Sequence, residues 1–266
     1  MFFRNIYLKT LLDQWKFTGW ISVGLIAAAL YTTLLFPLIR DTSGLNEFIE
    51  QLPQFILSLI GGASAFTTPE GFLNTQPFSV LAPLLVITFA VVRGSNLIAG
   101  EEESRTLDQL LANPVRRGRV AMEKAAALAT SVLVLVVVLF AWILIGSAIA
   151  GFSLDLARLS QIVFSLFLLG TGSGLMALGI GLATGRRSFA GGVAAGVVAV
   201  GWLLNAIQQL APVLEWTKFI SVFWYYNGNN IFVNGMVIWH ALVLTGVAAC
   251  SLALGTWWFE RRDLRG

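Results

Sequence analysis

The sequence predicts an all-α polytopic membrane protein with six transmembrane helices. Hydrophobic residues make up 57% of the 266 residues and charged residues only 12%, whereas soluble domains carry about 25% charged residues. The apolar residues are gathered in six runs, each near the roughly 20 residues that a spanning helix needs. Lipid is therefore the expected main solvent, and residues 1–266 are expected to form a single transmembrane domain.

The six apolar runs define the predicted spans and their direction. The spans are predicted at residues 18–39, 78–99, 125–149, 160–184, 189–210 and 237–259. If the spans alternate in direction, all but three of the 17 Lys and Arg residues fall on one side of the membrane. Because Lys and Arg collect in cytoplasmic segments, we expect both termini in the cytoplasm and the chain in the plasma membrane.

Residues 1–17, before the first span, are predicted to contain an amphipathic helix at the inner membrane interface. Its apolar side chains share one broad face at helical spacing: Ile6, Leu8, Leu11, Leu12 and Trp15. This pattern is typical of helices that lie in the head-group region. The alternative is a simple cytoplasmic continuation of the first span.

Two outer stretches, residues 41–77 and 211–235, are too interrupted to span and too apolar for free loops. The second is rich in aromatic residues. Such segments are predicted to be re-entrant or interfacial. The sequence leaves open whether the aromatic side chains gate a path or only anchor the chain in the interface.

The fourth and fifth spans are rich in glycine. Their glycines include pairs spaced four residues apart, such as Gly170 with Gly174 and Gly192 with Gly196. Small residues at this spacing let helix backbones approach closely in lipid. We expect these glycines to serve helix packing.

The most charged segment of the chain is the inner connection at residues 100–121. Gly100 is predicted to end the second span, and Pro114 cannot continue the short helix that follows. Three glutamates are placed at the start of that helix, where the helix dipole favours negative charge. Such a helix offers a docking surface to a soluble partner, and a solvated loop is the alternative.

The residues of this segment resemble those of a known family. The run Gly-Glu-Glu-Glu-Ser-Arg-Thr-Leu-Asp-Gln-Leu-Leu-Ala-Asn-Pro-Val-Arg-Arg, followed by Glu123-Lys124, is similar to the inner loop of ATP-binding cassette (ABC) permeases of the type 2 exporter class. In that family an acidic pair is followed by Gly-Thr-Leu, an acidic residue, Leu-Leu, a small residue and Pro-Val. Arg105 stands where the family usually has glycine, so the turn into the coupling helix is expected to be stiffer or to start earlier.

The resemblance implies a permease that pairs with a second copy or a paralogue and engages a separate ATPase subunit through the loop helix. The second and fifth spans would line the path. The residues that would couple to the ATPase are Glu101, Glu102, Glu103, Thr106, Leu107, Asp108, Leu110, Leu111 and Pro114. The chain has no Gly-x-x-x-x-Gly-Lys-Ser/Thr motif, so it is not expected to be an enzyme. ATP and Mg²⁺ would be bound by the partner, with no cofactor in this chain.

Four polar residues within or near the spans are candidates for lining the path: Arg93, Asn205, Gln208 and Gln209. Arg93 lies inside the second span, where a charge is costly. Its side chain either extends to the inner interface or forms a salt bridge, for example to the glutamates. The three amides contact substrate or bond across helices.

Other classes of protein fit the sequence less well. A gradient-driven secondary transporter or channel usually places ionisable residues in mid-membrane, and here the spans are nearly free of acids. A membrane enzyme is disfavoured because the chain has one histidine and one cysteine. The basic residues sit at span ends, which favours lipid over nucleic acid as their partner. A non-transporting assembly subunit stays possible, and the substrate and the choice between homodimer and heterodimer are not determined.

Overall fold

The computed structural model describes residues 6–40, 67–107, 115–207 and 212–262. Within these ranges the chain is helical and contains no strand. The helices are α1 (Ile6–Arg40), α2 (Pro69–Glu103), α3 (Arg117–Ala150), α4 (Leu156–Thr184), α5 (Arg187–Ile207), α6 (Val222–Asn227) and α7 (Ile238–Arg261). All but α6 are long and apolar enough to cross a membrane. The predicted all-α fold with six spans is confirmed.

The long helices alternate in direction, so the bundle has two distinct ends. One end gathers the starts of α1, α3 and α5 with the ends of α2, α4 and α7. We call it the basic end, because most described Lys and Arg residues lie there: Lys9, Lys16, Arg93, Arg105, Arg116, Arg117, Arg119, Lys124, Arg186, Arg187, Arg261 and Arg262. The opposite end carries Arg40, Arg158 and Lys218.

Helix α4 is the most buried of the six, and glycines bring two neighbours close to it. A Cβ atom on Gly94 of α2 would collide with the Gly174 carbonyl oxygen, and one on Gly179 would collide with the Ser251 carbonyl of α7. The packing role predicted for glycine therefore holds in α4. In α5, by contrast, Gly192 and Gly196 have no atom within 4 Å of an added Cβ, so this face of α5 is open.

Helix α1 runs unbroken from Ile6 to Arg40, so the predicted amphipathic helix is not a separate element. No glycine or proline interrupts residues 6–18, and the Tyr7 hydroxyl lies 3.0 Å from the Thr130 hydroxyl of α3. This contact keeps the N-terminal turns packed on the bundle. In these turns the exposed side chains are three apolar ones, Leu8, Leu12 and Trp15, and three charged ones, Lys9, Asp13 and Lys16, while Thr10 and Gln14 are buried. The apolar half of this exposed surface suits contact with lipid.

Helix α2 begins and ends outside the span predicted for it. Its start is capped by Thr68, whose hydroxyl accepts a hydrogen bond from the Gly71 N–H at 3.1 Å, and Pro69 occupies the first turn, where its missing N–H is harmless. Pro77 does not end the helix, because the backbone widens into a π-helix over Asn74–Leu81. Hydropathy marks only the apolar middle of a helix, which explains why the predicted span, residues 78–99, is shorter than α2 at both ends.

Gly100 does not end α2 either. Its backbone is helical, and the helix continues through a second π-turn, Asn96–Gly100, to Glu103. A glycine in a helix costs only about 1 kcal/mol, and the Asn96 side chain occupies the space that a Cβ on Gly100 would need. The three glutamates therefore lie at the end of α2 and not at the start of a new helix.

The segment between α5 and α7 contains three short helices: Pro212–Phe219, α6 and Asn230–Asn234. Burial raises the pKa of the Tyr226 hydroxyl well above its usual value, so it stays protonated and donates to the Phe78 carbonyl of α2 at 2.9 Å. The Ser165 hydroxyl of α4 donates to the Tyr226 carbonyl at 2.6 Å. The segment is thus fastened to two spans. Its re-entrant character stays a prediction, and residues 41–66 of the first outer stretch lie outside the described ranges.

Candidate functional site

Three consecutive carboxylates at the end of α2 reach three different helices. The Glu101 carboxylate forms an ion pair with Lys124 of α3, and that of Glu102 forms one with Arg262, directly after α7. The Glu103 carboxylate accepts a hydrogen bond of 2.8 Å from the backbone N–H of Arg187, the first residue of α5. We call Glu101, Glu102 and Glu103 the glutamate cluster. It fastens the end of α2 to α3, α5 and α7.

Lys124 of α3 is the most buried of the three basic residues that contact the glutamate cluster. The Lys124 side chain is 2% exposed, whereas that of Glu101 is 33% exposed. The Lys124 ammonium also donates to the carbonyl oxygen of Leu97, one turn before Glu101. A buried charge requires such partners, since removing one of them leaves an uncompensated ion. Lys124 therefore ties α3 to both the backbone and a side chain of α2.

The contact with α7 is enclosed by the end of α4. The side chains of Glu102 and Arg262 are 7% and 16% exposed. Gly185 caps α4 with a φ of +66°, and a Cβ there would lie 2.6 Å from a Glu102 carboxylate oxygen. Arg117, at the start of α3, donates to the carbonyl oxygens of Arg262 at 2.7 Å and Phe259 at 3.1 Å. Four helix ends thus meet at one ion pair.

The contact with α5 corrects the electrostatic argument made from the sequence. The glutamates were expected at a helix start, where the dipole favours negative charge, but they lie at the C-terminal end of α2. The positive end of a dipole is supplied instead by α5, because Glu103 binds its first backbone N–H. Lys124 and Arg262 compensate the other two carboxylates.

Helix α2 ends in a tight turn at Ser104 and Arg105. Arg105 has a φ of +56°, a left-handed conformation that costs a non-glycine residue roughly 1–2 kcal/mol. The Thr106 hydroxyl donates to the Glu101 carbonyl at 3.2 Å and lies 3.0 Å from the Ser104 hydroxyl. Glycine adopts a positive φ without this cost, which gives a physical reason for the glycine that the resemblance leads one to expect in place of Arg105.

Leu107 follows this turn and is fully buried in the hydrophobic core. It was predicted to contact a partner together with Leu110 and Leu111, but the structure places its side chain inside this chain. Leu107 therefore anchors the start of the loop. Asp108, Leu110, Leu111 and Pro114 lie outside the described residues, and their predicted contacts stay predictions.

Arg93 does not join the glutamate cluster. Its guanidinium lies over the ring of Phe17 of α1, 4.9 Å from the ring centre, and within the described ranges it forms no ion pair. Glu101, which was a candidate partner, is paired with Lys124. Asn205 lies half-buried on α5, and Gln208 and Gln209 lie outside the described residues.

Sequence reasoning missed the basic half of this site. Arg262 and Arg187 count only as positive charges near span ends, and nothing in their local sequence points to α2. The three consecutive carboxylates at residues 101–103 are the signal in the sequence that basic partners are needed nearby. Among the described residues, no group of three His, Cys, Asp or Glu side chains could hold a metal ion.

The sequence matches a family model described as "ABC-2 family transporter protein" over residues 23–264. This range includes α2 to α7 and the second half of α1, so it contains the whole glutamate cluster and its partners. No curated protein matches the sequence.

Proposed function

This chain belongs to the ABC-2 transporter family, as a membrane-spanning permease subunit, and we propose that it exports its substrate under the drive of a separate ATPase subunit that docks on the loop between α2 and α3. The observation that carries the proposal is the glutamate cluster. The residues directly before the loop are joined to α3, α5 and α7. A force applied to the loop would reach these helices together.

The turn after the cluster supports this coupling role. Leu107 is fully buried, and the hydroxyl contacts of Ser104 and Thr106 hold the turn against the end of α2. Because packed interiors are stiff, a push on the loop helix is expected to move the ends of the spans and not to be absorbed in the turn. Leu110 and Leu111 are then the proposed contacts with the ATPase.

The nucleotide is assigned to the partner. The chain holds no phosphate-binding lysine motif, so ATP and Mg²⁺ would be bound by the ATPase subunit. In this proposal the basic end faces the cytoplasm of a plasma-membrane protein, with both termini on that side, as the distribution of Lys and Arg favours. The loop is then on the side where ATP is available.

The open side of α5 supports a second permease subunit, either a copy or a paralogue. Beside the glycines that face open space, an apolar groove of about 480 Å³ runs between α2 and α5. It is lined by residues that include Ile87, Val91, Val198 and Trp202. In lipid, small residues favour close helix contacts. The path would form where the α2 and α5 faces of two subunits meet, with Arg93 and Asn205 as proposed lining residues.

A gradient-driven transporter is the second candidate, and the structure does not favour it. In the described residues, the acidic side chains of the long helices lie near helix ends: Asp13, Glu70, Glu101, Glu102, Glu103, Glu123 and Glu260. Proton- or ion-coupled carriers place such groups in mid-membrane.

The test is co-purification of the chain with an ATPase subunit from a mild detergent, followed by ATPase measurement in nanodiscs. The double variant Leu110→Asp with Leu111→Asp is expected to lose the ATPase. Leu156→Asp is the control, because Leu156 is 58% exposed at the start of α4, at the opposite end of the bundle. Equal recovery of the ATPase with both variants would show that the docking site is wrong.

A further inference from the structure

A polar cavity of about 310 Å³ lies between α1, α2 and the start of α5 at the basic end. Its lining includes Asp13, Gln14, Arg93, Asn96, Glu101 and Arg187. At about 30 Å³ per water, the cavity has room for roughly ten waters. It is therefore large enough for a small polar group such as a phosphate.

Two buried groups of the lining lack the partners that they need. Gln14 is 1% exposed, and neither its side-chain oxygen nor its nitrogen has a hydrogen-bond partner among the described residues. The Nε of Arg93 is buried and equally unpaired in that part of the chain. Buried polar groups are nearly always hydrogen-bonded in native proteins. Two such groups lining one cavity indicate that the cavity takes a polar ligand.

The charges around the cavity select the sign of that ligand. Glu101 is neutralised by its ion pair with Lys124. Arg93 and Arg187 form no ion pair within the described ranges. Among the lining residues, Asp13, on the exposed side, is the acidic side chain left to oppose them, and the Glu103 carboxylate, outside the lining, is bonded to the backbone N–H of Arg187. With Lys124 counted against Glu101, the lining keeps one positive charge in excess. Guanidinium groups with amide donors beside them match the oxygens of a phosphate.

We propose that this cavity binds an anionic phosphate group, and that Arg93, Arg187 and Gln14 hold it. Lys and Arg at span ends lie level with lipid head groups, so an anionic lipid is one source of the phosphate and a soluble phosphate is the other. The cavity shares Glu101 and Arg187 with the cluster contacts. Because Gln14 lies in α1, Arg93 in α2 and Arg187 in α5, the ligand would bridge these three helices. Binding itself needs no ATPase and stands independently of the coupling role.

The test is thermal unfolding of the purified full chain in detergent, followed by tryptophan fluorescence. Three probes are titrated: dihexanoyl phosphatidylglycerol, dihexanoyl phosphatidylcholine and inorganic phosphate. Arg93→Gln and Arg187→Gln are each expected to weaken the apparent affinity about tenfold or more, the usual effect of losing a hydrogen bond to a charged group. Arg186→Gln is the matched control, since Arg186 precedes Arg187 and does not line the cavity.

Gln14→Leu separates a ligand site from an empty polar cavity. Leucine removes two unpaired buried atoms, so it should raise the Tm of the unliganded chain while reducing the shift that the ligand produces. Arg187 is exposed, so Arg187→Gln is expected to fold. Gln14→Leu and Arg187→Gln therefore keep the test decisive if Arg93→Gln does not fold.

Each outcome has one meaning. Saturable stabilisation by phosphatidylglycerol alone supports the site with lipid as the source, and saturable stabilisation by inorganic phosphate supports it with a soluble ligand. Equal stabilisation by phosphatidylcholine and phosphatidylglycerol, equal affinities of the Arg186 and Arg187 variants, or no saturable shift with any probe would overturn the proposal.

Discussion

Glu102 at the end of α2 forms an ion pair with Arg262, which lies 160 residues later in the chain and directly follows α7. Both side chains are nearly buried, and the pair sits where α4 ends at Gly185. The pair closes the basic end of the bundle by joining the helix before the charged loop to the last helix. Its stability and its role in coupling can be tested separately.

Glu102→Gln should destabilise the protein by about 3 kcal/mol, because it leaves Arg262 without a counter-charge in a nearly buried site. The free energy of unfolding can be measured by SDS titration of the purified chain. Glu103→Gln is the control. Its side-chain oxygen can still accept from the Arg187 N–H and its side chain is exposed, so a change within about 0.5 kcal/mol is expected. A similar loss in both variants would contradict the structural importance of the ion pair.

Gly185→Ala should destabilise the protein more than Gly151→Ala. Both glycines cap helices with positive φ, +66° and +74°, so each substitution carries a backbone cost of roughly 1 kcal/mol. Only at Gly185 would the new Cβ collide with the Glu102–Arg262 pair, because nothing lies within 4 Å of it at Gly151. The difference in Tm between the two variants measures that collision, and equal Tm values would argue against the contact.

The Glu101–Lys124 pair should respond unequally to the loss of each partner. Glu101→Gln leaves an ammonium that is 2% exposed without its counter-charge, and a loss of about 3 kcal/mol is expected. Lys124→Met leaves a carboxylate that is 33% exposed and can turn to water, so a loss nearer to about 1 kcal/mol is expected. SDS unfolding of both variants checks the order, and the reverse order would mean that Lys124 is not the buried member.

Arg105→Gly should stabilise the turn after α2 by about 1 kcal/mol. Glycine adopts a φ of +56° without the steric cost that arginine carries, and the Arg105 side chain forms no hydrogen bond or ion pair with the described residues. Asn230→Gly is a suitable comparison, since Asn230 also has a positive φ, +49°, but asparagine tolerates that conformation. Its gain in Tm should be smaller. A loss of stability in Arg105→Gly would show that the arginine side chain has a partner.

Much of the architecture could be predicted because lipid imposes simple rules on sequence. An apolar run such as that of α3 predicts a span, and the positions of Lys and Arg predict which end of the bundle is the basic end. The limits of the helices were less predictable: α2 runs past Pro77 and Gly100 because π-turns and local packing absorb residues that usually break helices. Hydropathy carries no information on helices that continue beyond the lipid.

The amino-acid sequence by itself determined the six spans, the all-α class, the family and the position of the charged loop, because all of these depend on local composition and spacing. Only the tertiary structure decided which basic residue each of the three glutamates contacts. Glu101, Glu102 and Glu103 are neighbours in the chain, yet their partners are Lys124 in α3, Arg262 directly after α7 and Arg187 in α5. Ion pairs form between side chains that are close in space. These side chains come close only because the glycines of α4 allow the helices to pack tightly.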